Sequence, residues 1–407
     1  MLTTVRGFKD ILYPQSELFT AIEIAAREIF KIYNYKEIRL PTVEYYELFV
    51  KSTGETTDIV EKEMYKFEDQ SKRMLALRPE GTPGIVRAYI NSNLNLKGEN
   101  SKFFYIGNMF RAERPQAGRY REFEQIGAEY LGNASPYADA EVIMMLDSFL
   151  KKLGIKSYTP EINSIGCTEC RKKYRGVLIN HLKNIDLCDD CKNRIGRNPL
   201  RVLDCKTDRD KLKDIPHIEL CTDCRTHYES VKNILTTNNL KFKENYFLVR
   251  GLDYYTRTVF EFKTDQLGSQ DAVASGGRYD TLVKSMGGPD SPSVGWAAGV
   301  ERIAMLVEKN DTLIKEKDLF FVVSMDKAYS EYCLKILTEL RKNNIRADFS
   351  NFSVSIKSQL RSANSNGAKY ALIIGDDEYK TNTITLKNLS NGEQKKTNLN
   401  EIIQIMH

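Results

Sequence analysis

Histidine is scarce in this chain: there are four in 407 residues, His181, His217, His227 and His407. None falls within the motif-dense stretches, which argues against a Ser-His-Asp or Cys-His nucleophilic mechanism. No apolar run approaches the roughly 20 residues that a membrane helix needs. The opening MLTTVRGFKD has no apolar core of a secretory signal. Retention in the cytoplasm is the resulting expectation. A G-x-x-x-x-G-K-[ST] loop is also missing, so a nucleotide site here is not of the P-loop kind. No internal repeat is apparent. Charge of one sign is not in large excess: the net charge of +5 suits a nucleic-acid partner and a mixed solvated surface equally well.

What is present suits a large folded enzyme. Hydrophobic residues make up 41% and charged residues 28%. The length predicts two or three domains. Eight cysteines occur, six of them in three C-x-x-C pairs. In a chain kept in the cytosol that spacing points away from a disulfide framework and toward metal binding or plain reduced thiols.

Leu18, Ile22, Ala25, Ile29 and Tyr33 recur at helical spacing and predict an amphipathic helix over about 16–33. A strand over 36–40 stops at Pro41, and the polar stretch 52–63 reads as a loop or flap. Residues 74–78 read as a strand and 84–90 as a helix. Two β-like runs, 103–112 and 120–130, flank the charged loop 113–119 and form a long hairpin. From 167 to 240 the pattern is helical and rich in lysine, and all three C-x-x-C pairs fall there. β-like residues return over 246–263, followed by a strand and helix in SGGRYDTLV, a turn-rich loop over 287–293 and a strand-to-helix unit over 294–307. Residues 308–318 read as a polar linker. Beyond it apolar strands alternate with helices, as in a small α/β domain with a mixed sheet. The predicted layout is a first catalytic part (1–165), a helical insertion (166–242), a second catalytic part (243–312) and a C-terminal domain (318–407).

The hairpin carries the chemistry. Side chains alternate across a strand, so Arg121, Phe123, Gln125, Gly127 and Glu129 share one face. Phe103, Tyr105, Gly107, Met109 and Arg111 alternate in the same way on the partner strand. A cation, an aromatic ring, an amide, a gap and a carboxylate make a poor packing face. Gly107 and Gly127 leave room for something to lie on the sheet. An aromatic ring beside arginines suits a nucleotide: the base stacks on Phe123, and Arg111 and Arg121 meet phosphates.

At these residues the chain resembles the class II histidyl-tRNA synthetases. The resemblance rests on LRPEGT (77–82), FRAERPQAGRYREFEQIG (110–127), RGLDYYTRTVFEF (250–262), SGGRYD (275–280) and GWAAGVERI (295–303). RGFKDILYP (6–14) and RLP (39–41) fit as well. It implies an α+β fold: a mixed, mainly antiparallel sheet flanked by helices, with a helical insertion and a C-terminal α/β anticodon-binding domain. It also implies a homodimer joined around Pro41. The implied activity is histidine–tRNA ligation, with L-histidine, ATP with Mg²⁺, and the histidine tRNA bearing an extra 5′ guanosine as substrates.

By the same resemblance Arg111 and Arg250 are catalytic. Arg111 meets the α-phosphate and the histidine carboxylate, and Arg250 lies near the attacked phosphate. Phe123 stacks on adenine, Arg302 holds the γ-phosphate, and Arg119 and Arg121 lie where ATP and the tRNA acceptor end meet the hairpin. Glu80, Gly81, Thr82 and Gln125 belong to the amino-acid pocket, with Glu80, Thr82 and Gln125 on the ammonium. Glu129 and Tyr255 grip the two ring nitrogens, and Tyr254 lies beside them. The rival within this resemblance is the non-catalytic paralogue that regulates histidine biosynthesis. It typically lacks the C-terminal domain and the intact RGLDYY residues, both of which this chain has. A nucleic-acid-binding structural protein would explain the basic loop but not the set Glu80, Gln125 and Glu129.

Two C-x-x-C pairs make a tetrahedral Zn²⁺ site when they converge. If the first helix of the insertion runs outward and the last runs back, Cys188 and Cys191 meet Cys221 and Cys224 at the distal end. That quartet is the expected structural zinc site. Cys167 and Cys170 with Cys205 form the fallback, and a set of reduced thiols remains the alternative.

Overall fold

A computed structural model describes residues 2–54, 57–94, 101–268, 271–307 and 318–406. The stretch read as a linker, 308–318, lies outside the described residues except for Asp318. The chain divides into two compact units, Met1–Ile314 and Lys315–His407.

The first unit is organised by an eight-stranded sheet. Its strand order is Lys36–Glu37, Ser101–Phe110, Glu122–Leu131, Ser293–Gly299, Ala272–Arg278, Thr256–Lys263, Thr159–Ser164, Lys243–Glu244. Only the two outermost pairings are parallel. The five inner ones are antiparallel. One face buries Phe104, Ile126, Ala128, Phe260, Phe262, Val294 and Trp296 beneath helices. Helix Gln15–Ile32 buries Leu18, Ile22, Ala25 and Ile29 of the predicted stripe and adds Phe30, while Tyr33 becomes its C-cap. Phe30 stacks on Phe104 at 4.4 Å and on Trp296 at 5.8 Å, and Phe149 reaches Trp296 at 6.2 Å. This aromatic stack joins two helices and two strands into one core.

Three predicted elements change. The strand at 36–40 shrinks to Lys36–Glu37. The stretch 52–63 is not simply a loop. Helix Tyr46–Thr53 runs into it, and a π-helical turn, Ile59–Glu63, buries Ile59 and Val60. Residues 246–255 do not pair as a strand. There the Asn163 amide donates to the carbonyls of Tyr246 (3.3 Å) and Leu248 (3.0 Å), so side-chain bonds replace the ladder. Helix Pro136–Lys152 has no counterpart among the predicted elements. It starts at Ser135, whose hydroxyl accepts from the Tyr137 N–H.

The second unit is a five-stranded mixed sheet in the order Ala347–Phe349, Phe320–Ser324, Tyr370–Ile374, Ile384–Asn388, Gln394–Thr397. Phe320 and Val322 pack on one side and Phe321 and Val323 on the other, so helices cover both faces.

A buried ionic cluster closes the first unit. Arg278, with no exposed side-chain surface, binds Asp139 at 2.6 Å and Asp280 at 2.9 Å. Asp139 also meets His227 at 3.2 Å. Burial alone raises the Asp139 pKa, but Arg278 and His227 outweigh it and hold the carboxyl at about 2. Stability from this group is therefore complete above the ordinary aspartate range and is lost as pH falls through about 2. Asp139→Ala strands a buried guanidinium and is expected to cost about 3–5 kcal/mol. Urea denaturation at neutral pH checks this, and a loss below 1 kcal/mol would contradict it.

Candidate active site

The opposite face of the large sheet is polar and small. Reading across strands by register, one row is Phe103, Glu129, Gly295, Gly277 and Val259. The next is Tyr105, Gly127, Ala297, Ser275 and Glu261. A cavity of about 720 Å³ lies over these rows. Its lining brings together Glu80, Thr82, Arg111, Arg119, Phe123, Gln125, Glu129, Arg250, Tyr254, Tyr255 and Arg302. Gly81 and Arg121 are not among the lining residues. Gly81 precedes helix Thr82–Asn91, and a Cβ there would stand 2.3 Å from the Tyr105 ring. Arg121 falls just before strand Glu122–Leu131, so the alternation does not extend to it. Its guanidinium donates to the carbonyls of Glu113 and Arg6.

The expected gaps at Gly107 and Gly127 are filled by the protein itself. A Cβ at Gly127 would stand 2.4 Å from the Tyr105 ring, and one at Gly107 would stand 2.5 Å from the Arg78 guanidinium. These glycines admit neighbouring side chains, and the Tyr105 hydroxyl in turn donates to Gln125 Oε1 at 2.7 Å.

Glu129 is 1% exposed. Thr82 Oγ1 and Tyr279 Oη both donate to its carboxyl at 2.5 Å. Burial raises its pKa to about 8 against the partial relief of those two donors. Glu80 accepts from Tyr254 Oη at 2.9 Å, and burial lifts it to about 7 despite the nearby Arg111. Among the described residues its buried Oε1 has no hydrogen-bond partner. The Arg250 Nη1 donates to Glu261 at 2.9 Å and Nη2 to Ser275 Oγ, while its buried Nε has no partner among the described residues. Arg111 donates from Nε to the Pro79 carbonyl and lies 5.4 Å from the Phe123 ring centre. Arg302 donates to the Ala272 carbonyl at 2.7 Å. The result is a polar cavity with buried carboxyls, unspent hydrogen-bonding atoms and several cations.

Tyr105, Tyr279, Ser275 and Glu261 are the residues the site reading omitted. Tyr279 stands in SGGRYD, and Tyr105 lies on the alternating polar face of the hairpin. Nothing in the sequence signals that Glu261 and Ser275 meet Arg250.

The cysteines group differently from expectation. Cys167, Cys170, Cys221 and Cys224 form one cluster, and Cys188, Cys191, Cys205 and Asp208 another. The predicted quartet of Cys188, Cys191, Cys221 and Cys224 is overturned, and so is the fallback of Cys167 and Cys170 with Cys205. The chain returns from Arg197 through short 3-10 turns, Pro199–Asp204 and Arg209–Leu212. Only then does helix Thr222–Thr237 begin, beside the start of helix Thr168–Leu182, where the Cys221 N–H donates to Cys170 Sγ at 3.2 Å. The last helix packs its His227 on Asp139 of the catalytic body and does not run back from a distal tip. Each pair still opens a helix, with Cys167, Cys188 and Cys221 at the N-caps. The four-thiol cluster offers the number and type of ligands that a closed tetrahedral metal site needs.

The fold is that of a class II aminoacyl-tRNA synthetase. The crystal structure of apo histidyl-tRNA synthetase from S. aureus superposes with a TM-score of 0.83 at 34% identity, covering 100% of both chains. Histidyl-tRNA synthetase from Nostoc sp. PCC 7120 shares the fold at a TM-score of 0.75 and 21% identity, covering 100% of this chain and 99% of that one. The family model for histidyl-tRNA synthetase matches residues 7–169 and 199–303, and that for an anticodon binding domain matches 319–407. The histidine–tRNA ligase of Elusimicrobium minutum is 49% identical, covering 99% of this chain and 98% of its own. That of Aquifex aeolicus is 48% identical, covering 98% and 100%. The chain belongs to the histidyl-tRNA synthetase family.

The raised carboxyls give a measurable pH effect. A pKa held above its unfolded value of 4.5 means stability that is complete below the ordinary carboxylate range and lost as pH rises through about 8 for Glu129. Thermal melts of the ligand-free protein from pH 5 to 9 are expected to show this loss. Glu129→Gln is expected to remove part of it, on the order of 2–4 kcal/mol. Identical pH slopes for the two proteins would refute the assignment.

Proposed function

We infer that the chain activates L-histidine with ATP, forming histidyl-adenylate and pyrophosphate, and then transfers histidine to the 3′ end of its tRNA. The carrying observation is how one cavity is divided along strand Glu122–Leu131. Buried Glu129 lies toward one end and Phe123, beside Arg111, toward the other. Six residues of strand separate them, roughly 20 Å at 3.3 Å per residue. That span suits an amino acid and a nucleotide laid end to end.

Glu129 and Tyr255 hold the two ring nitrogens of histidine, with Tyr254 beside them. Glu80, whose Oε1 has no partner among the described residues, takes the ammonium together with Thr82 and Gln125. Gly81 leaves the space that Tyr105 occupies at this pocket. A pocket of buried polar partners rejects amino acids that lack matching groups by a factor on the order of 10⁴. Phe123 stacks on adenine, Arg302 holds the γ-phosphate, and Arg119 and Arg121 serve ATP and the tRNA acceptor end. The histidine carboxylate attacks the α-phosphorus and pyrophosphate leaves. Arg111 and Arg250 stabilise the negative charge that grows on the phosphoryl oxygens, without proton transfer. Glu261 and Ser275 fix the Arg250 fork for that task. Mg²⁺ enters with ATP as part of the substrate and neutralises the departing phosphates.

The C-terminal unit binds the anticodon of the histidine tRNA, and the chain works as a cytoplasmic homodimer. Exposed Val43, Tyr45 and Phe67 on the three-stranded sheet next to Pro41 support a partner surface there. Cys167, Cys170, Cys221 and Cys224 hold a structural zinc, closed to water and apart from the chemistry.

Histidine-dependent ATP–pyrophosphate exchange tests the reading directly, since a non-catalytic regulatory paralogue gives none. Arg250→Ala is expected to lower exchange 10²–10³-fold, about 3–4 kcal/mol, with the fold intact. Near-normal exchange would remove Arg250 from this role. Glu129→Gln should weaken histidine far more than ATP, and equal losses would make Glu129 general scaffolding. A chain cut after residue 314 should keep exchange and lose tRNA charging, with oligomeric state measured in parallel. Full charging by the truncated chain would show that the C-terminal unit is dispensable for tRNA.

A further inference from the structure

The second cysteine cluster is not explained by the reaction or by the four-thiol site. Cys188 N-caps helix Asp189–Arg197, and Cys191 lies in its first turn, so both sulfurs face the same side. The 3-10 turn Pro199–Asp204 then delivers Cys205, and Asp208 follows at the head of the next turn. Cys188 Sγ and Cys205 Sγ lie 3.8 Å apart, and Cys205 Sγ lies 3.8 Å from Asp208 Oδ2. All four ligand atoms fall within 4.8 Å of one another. Sulfurs bound at 2.3 Å to one tetrahedral ion sit roughly 3.8 Å apart. A disulfide would need about 2.05 Å, and all these cysteines are free.

The surroundings are those of ligands held in place. The Asp208 N–H donates to Cys205 Sγ at 3.4 Å, and the Cys188 N–H donates to Asp208 Oδ2 at 2.9 Å. Asp208 is 1% exposed: Oδ2 faces the sulfurs, while Lys211 stands 3.4 Å from the outer oxygen, Oδ1. Outer-shell bonds of this kind orient metal ligands and disperse their charge. Three neutral thiols would give a buried carboxylate only weak donors.

We propose that Cys188, Cys191, Cys205 and Asp208 form a second structural metal site, a zinc centre of three thiolates and one carboxylate, which fastens a wall of the active-site cavity. The wall is the segment from Asn198 to Arg209, which follows the helix bearing Cys188 and Cys191 and itself carries Cys205 and Asp208. Arg201, Lys206 and Arg209 from it line the cavity. Asn198 donates to Asp253 at 2.7 Å and Arg201 to the Gly251 carbonyl at 2.5 Å, within the RGLDYY stretch. The metal therefore ties these contacts to helix Asp189–Arg197 through Cys188 and Cys191. Its existence does not depend on the reaction assigned to the cavity.

Metal content of the full chain, purified without chelator and measured by mass spectrometry, tests the proposal. Two zinc ions per chain are expected. Cys205→Ser with Asp208→Ala should leave one, and Cys170→Ser with Cys224→Ser should remove the other. No zinc in the unmodified protein, or a zinc content that Cys205→Ser with Asp208→Ala leaves unchanged, would overturn the proposal. If that double variant fails to fold, Asp208→Cys decides. In the Co²⁺-substituted protein it should keep two metals and raise the thiolate-to-metal absorption by the share of one added sulfur. An unchanged spectrum would exclude Asp208 as a ligand. Amide exchange over 198–209 should rise at least tenfold when the second site is emptied, while 222–237 stays protected. Unchanged exchange over 198–209 would overturn the fastening role.

Discussion

The molecule depends on the two-sidedness of its large sheet. Strand Glu122–Leu131 is paired along its length with Ser101–Phe110 on one edge and from Gln125 to Leu131 with Ser293–Gly299 on the other. Slipping it by one residue would turn Ile126, Ala128 and Tyr130 toward the cavity and Glu129, Gln125 and Phe123 into the aromatic core. The core around Phe30, Phe104, Trp296 and Phe149 opposes that slip, because a carboxylate and an amide without partners would replace Ile126, Ala128 and Tyr130 within it. The site is thus positioned by packing on the face it does not use.

A second constraint is electrostatic. Burying Glu80 and Glu129 on one small area costs stability in the empty protein, and the protein offsets it by hydroxyl donors from Thr82, Tyr254 and Tyr279. Burial lifts both carboxyls, Glu80 to about 7 and Glu129 to about 8. Groups held so far from their ordinary range by burial are typical of sites whose energetics are completed by a ligand. Arg278 with Asp139 shows the contrary case, an ion pair in which every charge has an internal partner. It lies on the structural side of the sheet and leaves nothing for a ligand to satisfy.

The cysteines illustrate a third principle. A C-x-x-C spacing fixes geometry only within its own helix turn: the N-cap and the third position after it point the same way in all three pairs. Which pairs meet is decided by the irregular return path, where 3-10 turns and extended chain replace the outward-and-back helices that simple topology assumes. Cys205 and Asp208 join a cluster only because that path folds over helix Asp189–Arg197.

The sequence by itself determined the elements with strong periodicity: the amphipathic first helix, the charged hairpin with its alternating face, and the β/α order of the C-terminal unit. Local residue patterns encode these because each burial choice repeats every two or 3.6 residues. Of the thirteen residues it named for the amino acid and ATP, eleven line the cavity, eight of them in the hairpin and the RGLDYY stretch. Tertiary structure alone decided the rest. The gaps at Gly107 and Gly127 are filled by Arg78 and Tyr105, which no spacing reveals. Arg121 turns to the N-terminal segment because its strand begins one residue later. The run 246–255 reads as β from its aromatic residues but is held by Asn163 from a distant strand. The cysteine partners, like these, depend on contacts between residues far apart in the chain, and such contacts are set by packing and hydrogen-bond satisfaction over the whole fold.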